Sequence, residues 1–387
     1  MQDFEFSYPT KNYFGRGAAK RALEKELPQY GKNIMLAYGG GSVRQNGIYD
    51  ELMLILEVAG KNVTEFSGIM SNPTYAKVQA GAALAREKQI DFILAVGGGS
   101  VSDCCKAVSA QARLDTDLYE YEYTQHKLPA SGIPLGVIVT ASGTGSEQNA
   151  GAVITYEKKK WKGALWGTAA AFAVLDPYYT KTVPLKQVIS GAFDTLSHCM
   201  ETYLGTAREP NLSDEMNESV MRSVIANIRR IKAEPEDMEA RSELMWASAM
   251  AENGILKIGK QTDFQCHMIE HQLGAYTDCN HGCGLAVIQP ELYRHLAPAA
   301  PKQYARLAVE VFGVASEGQT ELETALQGIG KLAAFIREIG LPTSLRELDC
   351  ADDEILHAVA NTAVQTPGCA KKLTPEEIYD ILVAVKG

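Results

Sequence analysis

Asp91-Phe92-Ile93-Leu94-Ala95-Val96-Gly97-Gly98-Gly99-Ser100 is the stretch on which the architecture turns. A short apolar run ends in three glycines and a serine, and residues 101–113 then repeat apolar side chains at helical spacing. A continuous apolar run bounded by glycine fits a strand covered on both faces. The same succession stands upstream. Asn33-Ile34-Met35-Leu36-Ala37-Tyr38 runs into Gly39-Gly40-Gly41-Ser42, and residues 48–59 read as a helix. Residues 62–66 read as another strand, followed by a turn in which Pro73 holds Asn72 extended, and then by a helix over 75–88. Downstream, a strand over 135–140 leads into Ser142-Gly143-Thr144-Gly145-Ser146-Glu147, and one over 172–175 ends at Asp176-Pro177. Near the start, residues 4–15 fit a short hairpin or edge strand and residues 18–30 a helix. Strands alternating with helices of this size imply a parallel sheet with helices on its faces.

After Pro184 strand signals nearly vanish. Helical patterns run over about 186–204, 212–232, 238–257, 262–275, 302–312, 321–339 and 374–385. The expected organisation is therefore an α/β domain over residues 1–185 followed by an all-helical domain over 186–387. A chain of 387 residues is long enough for two cores. At 46% apolar and 22% charged residues it reads as an ordinary globular protein. The formal charge of −10 argues against nucleic acid or an anionic membrane as a partner, since both need basic patches. The segment from Met1 to Phe6 lacks a basic flank and an apolar core, so no signal peptide is expected. No apolar run is long enough for a membrane span. Eight cysteines without framework spacing read as reduced thiols of a cytoplasmic protein. Cys279-x3-Cys283 brackets His281, but no matching pair elsewhere completes a thiolate zinc site.

The glycine turns carry a definite chemistry. Missing side chains let backbone approach a ligand, and free N–H groups at a helix start attract an anion. One such turn is usually just a tight turn. Three at the carboxyl ends of parallel strands match where open sheets bind ligands, and favour a nucleotide diphosphate. None is the G-x-G-x-x-G fingerprint or a Walker lysine motif.

The helical half carries a second signal. Asp194 and His198 are four apart in Asp194-Thr195-Leu196-Ser197-His198, and His267 and His271 repeat that spacing in His267-Met268-Ile269-Glu270-His271. On a helix, such pairs share one face. His281-Gly282 follows, read as a loop. Four of the seven histidines lie in these segments. A carboxylate with several imidazoles suits Fe(II) or Zn(II). Spacing alone leaves both surface ion pairs and a shared cation open.

Taken together, these residues resemble the iron-dependent alcohol dehydrogenases, in the branch of butanol dehydrogenases and NADPH-dependent aldehyde reductases. The resemblance runs from Tyr13-Phe14-Gly15 to at least Pro290. It is carried by Gly97-Gly98-Gly99-Ser100-x-x-Asp103, Thr140-x-Ser142-Gly143-Thr144-Gly145-Ser146-Glu147-x-Asn149 and Leu175-Asp176-Pro177. With them go Asp194-x3-His198-x-x-Glu201-x-Tyr203 and His267-x3-His271-x-Leu273-Gly274-x6-His281-Gly282. It implies a Rossmann-like α/β domain followed by an all-α domain. It implies four metal ligands, Asp194, His198, His267 and His281, with His271 near the nicotinamide. Gly98, Gly99, Ser100 and Asp103 would hold the pyrophosphate and nearby groups. Asn72, Thr140, Ser142, Thr144, Asn149, Lys160, Tyr179 and Val183 fall on further cofactor positions. Where NAD-using members tend to carry an acidic residue after the first strand, this chain has Gly39-Gly40-Gly41-Ser42, with Arg44 close by. Gly40 and Ser42 therefore suit the extra phosphate of NADP(H), although Glu65 ends the next strand where an ordinary unit keeps its ribose-binding acid.

The reaction so implied is hydride transfer between NADP(H) and a small aldehyde or primary alcohol, with the cation as Lewis acid. His271 is the candidate proton relay, and a homodimer is expected. Glu201, seven residues after Asp194, fits either an orienting role or the helix surface. Phe264 fits either an apolar substrate pocket or the core. Cys199 and Cys266, next to ligand positions in sequence, are expected to be packing thiols. The alternatives are a glycerol dehydrogenase-like or dehydroquinate synthase-like enzyme, and a sensor without turnover. A sugar-phosphate lyase would need more basic residues than residues 262–275 provide.

Overall fold

The computed structural model describes residues 3–205 and 210–387; Met1 and Gln2, which begin the segment read as lacking a leader, lie outside the described residues. Two compact units emerge, one of residues 7–184 and one of residues 185–387 together with the segment that ends at Phe6.

In the first unit, β1 (Lys11–Phe14) and α1 (Ala18–Glu26) precede β2 (Asn33–Tyr38), a single turn α2 (Ser42–Gln45) and α3 (Ile48–Val58). Then come β3 (Asn62–Phe66), α4 (Tyr75–Glu87), β4 (Phe92–Gly97), α5 (Gly99–Gln111) and β5 (Leu135–Val139). A hairpin of β6 (Gly151–Tyr156) and β7 (Trp161–Trp166) leads to β8 (Phe172–Leu175). Six strands form one sheet in the order β1-β8-β5-β4-β2-β3, and every pairing is parallel. Residues 11–14 thus form an edge strand rather than a hairpin. All of β4 is buried, as expected of a central strand with helices on both sides. On one face Phe92 stacks on Tyr30 (ring centroids 4.2 Å apart) and on Phe172 (5.8 Å). The chain runs from β2 outward to β3, then crosses back to β4 and continues toward β5. The order therefore reverses between β2 and β4, which is where open parallel sheets take ligands. The antiparallel β6–β7 hairpin is an addition to the alternating strand–helix pattern.

The second unit consists, among the described residues, of α6 (Leu185–Tyr203), α7 (Leu212–Ala233), α8 (Met238–Glu252), α9 (Gln265–Thr277), α10 (His281–Leu296), α11 (Pro301–Glu310), α12 (Glu321–Ile339), α13 (Asp353–Thr362) and α14 (Pro375–Ala384). Side chains reciprocally cap α7 (Asn211 with Asp214), α12 (Thr320 with Glu323) and α14 (Thr374 with Glu377). Two helices correct the sequence reading. His281-Gly282 is not a loop: His281 is the first residue of α10, whose N-cap Asn280 accepts the Cys283 N–H at 3.1 Å. Gly282, Gly284 and an internal Pro290 suppress its helical signature. Packing overrides them, because Gly282 lies so close to Ser190 that a Cβ would overlap the Ser190 carbonyl. The other is α13, announced by Asp352, whose side chain accepts the Ile355 N–H at 3.0 Å. Cys199 and Cys266 are fully buried in the helical core, as packing thiols should be. All eight cysteines are free. No described helix is long and apolar enough to cross a membrane.

Candidate functional site

Three residues from three helices converge in the helical unit. Asp194 comes from the middle of α6, His267 from the first turn of α9 and His281 from the start of α10. One donor atom of each lies within 4.8 Å of the others. Asp194 Oδ1 stands 3.4 Å from His267 Nε2 and 3.5 Å from His281 Nε2. Asp194 and His267 are each only 3% exposed. His198, one turn after Asp194, stands beside the trio rather than in it. Its ring lies 4.3 Å from that of His267, its Nδ1 is 3.2 Å from Asp194 Oδ1, and its Nε2 is 4.0 Å from Glu252 Oε1.

The imidazoles are held in one sense. His267 Nδ1 faces Glu201 Oε2, and His281 Nδ1 faces Glu270 Oε2. His198 Nδ1 lies 2.9 Å from the backbone carbonyl of Asp194. All three partners can only accept, so each Nδ1 carries a proton, and Nε2 is the ring nitrogen left to face a cation. Of these partners, Glu201 is 3% exposed and fits the orienting role rather than the helix surface. Glu270 was missed. Its signal was available, since it lies between His267 and His271 on a helix whose neighbours are apolar.

Two buried atoms of the trio, Asp194 Oδ1 and His267 Nε2, have no hydrogen-bond partner. Orphaned buried polar atoms are expensive unless something satisfies them. Electrostatics says what that would be. Burial opposes ionisation of Asp194, yet His198 and His281 hold its pKa well below the usual carboxylate range. Burial lowers the His267 pKa, but Asp194 and Glu201 outweigh burial and hold it up at about 10. The surroundings thus favour positive charge at Nε2, which a cation supplies in place of a proton. A carboxylate oxygen with imidazole nitrogens is a donor set that fits a divalent first-row metal. His271 follows one turn after His267. It is 6% exposed, and its ring stacks on that of His281 at 5.3 Å between centroids. With Glu270 and His281 it makes a second close group of donor atoms. Phe264 adds an apolar wall, 5.2 Å from the His267 ring and 5.9 Å from that of His198.

In the sheet unit, the three glycine turns follow β2, β4 and β5, which are neighbours in the sheet. Gly98 is the N-cap of α5 and offers no side chain, and the first turn contains no acidic residue, so the N–H groups there face no competing carboxylate on their own helix. Gly99 is required sterically, since a Cβ would overlap the Thr144 side chain. Gly145 is left-handed at φ +57°. Such close-packed backbone at a helix start fits the diphosphate of a dinucleotide.

Several predicted cofactor residues have other partners in view. Asp103 accepts from Ser146 Oγ and, at 3.0 Å, from the Val153 N–H. Lys106, fully buried, donates to the Ser146 carbonyl at 2.7 Å and to the Gly151 carbonyl, and lies 3.1 Å from Asp103. Asp103 thus braces the loop over residues 142–153, a role that spacing did not disclose. Ser100 donates to the Ser71 carbonyl. Thr144 Oγ1 accepts the Ser146 N–H at 3.1 Å, and Asn149 Oδ1 accepts the Gly151 N–H at the same distance. Thr140 follows β5 and donates its N–H to the Gly97 carbonyl at 2.9 Å, with Ser142 half-buried beyond it. Asn72 is half-buried ahead of α4, whereas Gly40 and Ser42 are exposed after β2. Lys160 is exposed and left-handed in the β6–β7 turn. Tyr179 and Val183 lie after β8, and burial pushes the Tyr179 phenol up. Arg44 pairs with Glu65, donates to Tyr38 Oη at 2.9 Å and lies 3.9 Å over the Tyr49 ring.

Residues 9–177 match the family model for iron-containing alcohol dehydrogenase, and residues 188–385 match the C-terminal model of the Fe-containing alcohol dehydrogenase family. The chain is 40% identical to the probable NADH-dependent butanol dehydrogenase 1 of Bacillus subtilis, over 99% of this chain and 100% of that protein. It is 33% identical to the NADPH-dependent aldehyde reductase YqhD of Escherichia coli, over 90% of this chain and 89% of that one. The crystal structure of NADH-dependent butanol dehydrogenase A from Thermotoga maritima superposes with a TM-score of 0.94 at 31% identity, covering 100% of this chain and 99% of that chain.

Proposed function

The chain belongs to the iron-containing alcohol dehydrogenase family, and from that premise we propose that it interconverts small primary alcohols and aldehydes. The reaction is RCHO + NADPH + H⁺ ⇌ RCH₂OH + NADP⁺, with one divalent cation, Fe(II) or Zn(II). The observation that carries this reading is the pair of orphaned atoms, Asp194 Oδ1 and His267 Nε2, inside a buried carboxylate–imidazole cluster. The alternatives of a glycerol dehydrogenase-like or dehydroquinate synthase-like enzyme gain no support from the relatives described above.

Asp194, His198, His267 and His281 are the proposed metal-holding residues. When bound, the cation supplies Lewis-acid polarisation of a carbonyl oxygen, and the nicotinamide supplies or takes the hydride. Around these groups the chain has three tasks. Glu201 and Glu270 hold imidazole rings in place. Phe264 offers an apolar wall to an aliphatic substrate and excludes water there. His271, stacked on His281, is the proposed carrier of the proton that the product oxygen takes up. The turns at Gly40–Ser42 and at Gly98, Gly99 and Ser100, with Thr140, Ser142 and Thr144, are the proposed nucleotide cradle. Asp103 supports it from behind. Asn72, Asn149, Lys160, Tyr179 and Val183 remain proposed cofactor neighbours.

NADP(H) is preferred because the turn over residues 39–42 holds no acid and the nearby Glu65 charge is met by Arg44. Relatives named for NADH and for NADPH both occur, so both cofactors belong in the assay. A homodimer joined at the sheet edge formed by β1 accompanies the reading, and sedimentation velocity tests it. The reaction itself is tested by following reduced nicotinamide with short-chain aldehydes. The assay is run as purified, after chelation, and after adding back Fe(II) or Zn(II). No metal-dependent consumption with any aldehyde would end this proposal.

A further inference from the structure

Glu201 and Glu270 are 3% and 0% exposed, and neither belongs to the proposed ligand set. A buried carboxylate is costly unless its charge is used. Each closes on the Nδ1 of a proposed ligand and ties it to a different helix. Glu201 reaches from α6 to His267 on α9, and also accepts the N–H groups of Cys266 at 2.7 Å and His267 at 3.1 Å. Glu270 reaches from α9 to His281 on α10. Room for Glu270 is made by a glycine: a Cβ on Gly284 would stand 2.8 Å from Glu270 Cγ and 3.1 Å from Oε1. Tautomer, ring orientation and the approach of α10 are therefore built as one arrangement.

We infer that Glu201 and Glu270 are positioning residues that set the divalent-cation affinity of the Asp194–His267–His281 cluster, by fixing which ring nitrogen each imidazole presents and where it points. The inference rests on reading that cluster as a metal site. Glu270 is the cleaner case, because Glu201 also serves the start of α9. If Glu270 only filled space or accepted one hydrogen bond, a neutral amide would do as well. If it positions His281 through its charge, the amide weakens binding without weakening the fold.

The test is titration of chelator-stripped protein with Co(II), read from its visible d–d absorption, with Zn(II) competition for affinity and thermal unfolding of the same samples. Glu270→Gln should raise the Co(II) Kd about tenfold and Glu270→Ala up to about a hundredfold, with the absorption bands shifted and the unfolding temperature of Glu270→Gln not lowered. Gly284→Ala, which displaces Glu270 without touching any imidazole, should move Kd in the same direction. Should Glu270→Ala or Gly284→Ala fail to fold, Glu270→Gln decides. Wild-type Kd and spectrum in a folded Glu270→Gln would overturn the inference while leaving the metal site intact. A wild-type chain that takes up neither Co(II) nor Zn(II) would instead remove the metal reading, and this inference with it.

Discussion

The two proposed sites are built from opposite materials. The sheet unit works by subtraction: at the ends of β2 and β4 three successive glycines leave out side chains, and at the start of α5 what is offered is backbone N–H. The helical unit works by addition: a carboxylate and imidazoles are projected from α6, α9 and α10 into a buried volume, with further carboxylates behind them. A backbone-made site tolerates many sequences so long as the turn closes, but no side chain larger than hydrogen at the closest approach. A side-chain-made site needs particular residue types, and its burial makes each one expensive to disturb.

That contrast can be broken by substitution. The largest effect is expected for Asp194→Ala or His267→Ala, which should strip the metal and lower kcat/KM for aldehyde reduction by about three orders of magnitude or more, since Lewis-acid stabilisation is worth several kcal/mol. Elemental analysis beside the rate assay checks it, and nucleotide binding by the same variants should stay near wild type. Next is Gly99→Ala, whose added methyl would overlap Thr144. It should raise the nucleotide KM roughly tenfold to a hundredfold, as misplaced positioning groups do, at unchanged metal content; a loss of metal instead would show that the two sites are not separable. Smaller still is Arg44→Ala. It should raise the KM for NADPH by about tenfold, the worth of one charge-assisted contact, with little change for NADH. Equal effects on both cofactors would show that Arg44 does not set the preference for NADP(H).

The smallest expected effect is on stability alone. Glu122, 8% exposed, accepts the Trp166 N–H at 2.9 Å, and burial pushes its pKa up to about 7. A raised folded pKa contributes stability below the unfolded value of 4.5, and that contribution is lost as pH rises through about 7. Glu122→Gln should therefore flatten the fall in Tm across that window, by on the order of a few degrees, measured by thermal unfolding at a series of pH values. An unaltered slope would show that Glu122 is ionised in the folded protein at no cost.

Most of the sheet was legible because its strands are buried on both faces and so are written as apolar runs, as at residues 33–38 and 135–139. Exceptions share a cause. The β6–β7 hairpin is centred on the lysine-rich turn Lys158-Lys159-Lys160, and such a run of charge is also worn by solvated loops. Helix α10 carries two glycines and a proline because close packing, on Ser190 and on Glu270, matters there more than helix propensity. Glu270 escaped notice because a glutamate on a helix is ordinarily a surface residue, and that expectation outweighed its apolar neighbours and flanking histidines.

By itself the sequence determined the parallel α/β start and helical finish, the three glycine turns, and the residue types available to a metal. Those follow from periodicity and from the chemistry of single side chains, which act over a few residues. Tertiary structure alone decided that the glycine-bearing strands lie side by side and that Asp194, His267 and His281 converge while His198 stands next to them. It also decided that Asp103 braces a loop, and that Glu201 and Glu270 select the ring nitrogens. Each of these is a relation between segments far apart in the chain, set by which helices pack together, and no local rule contains it.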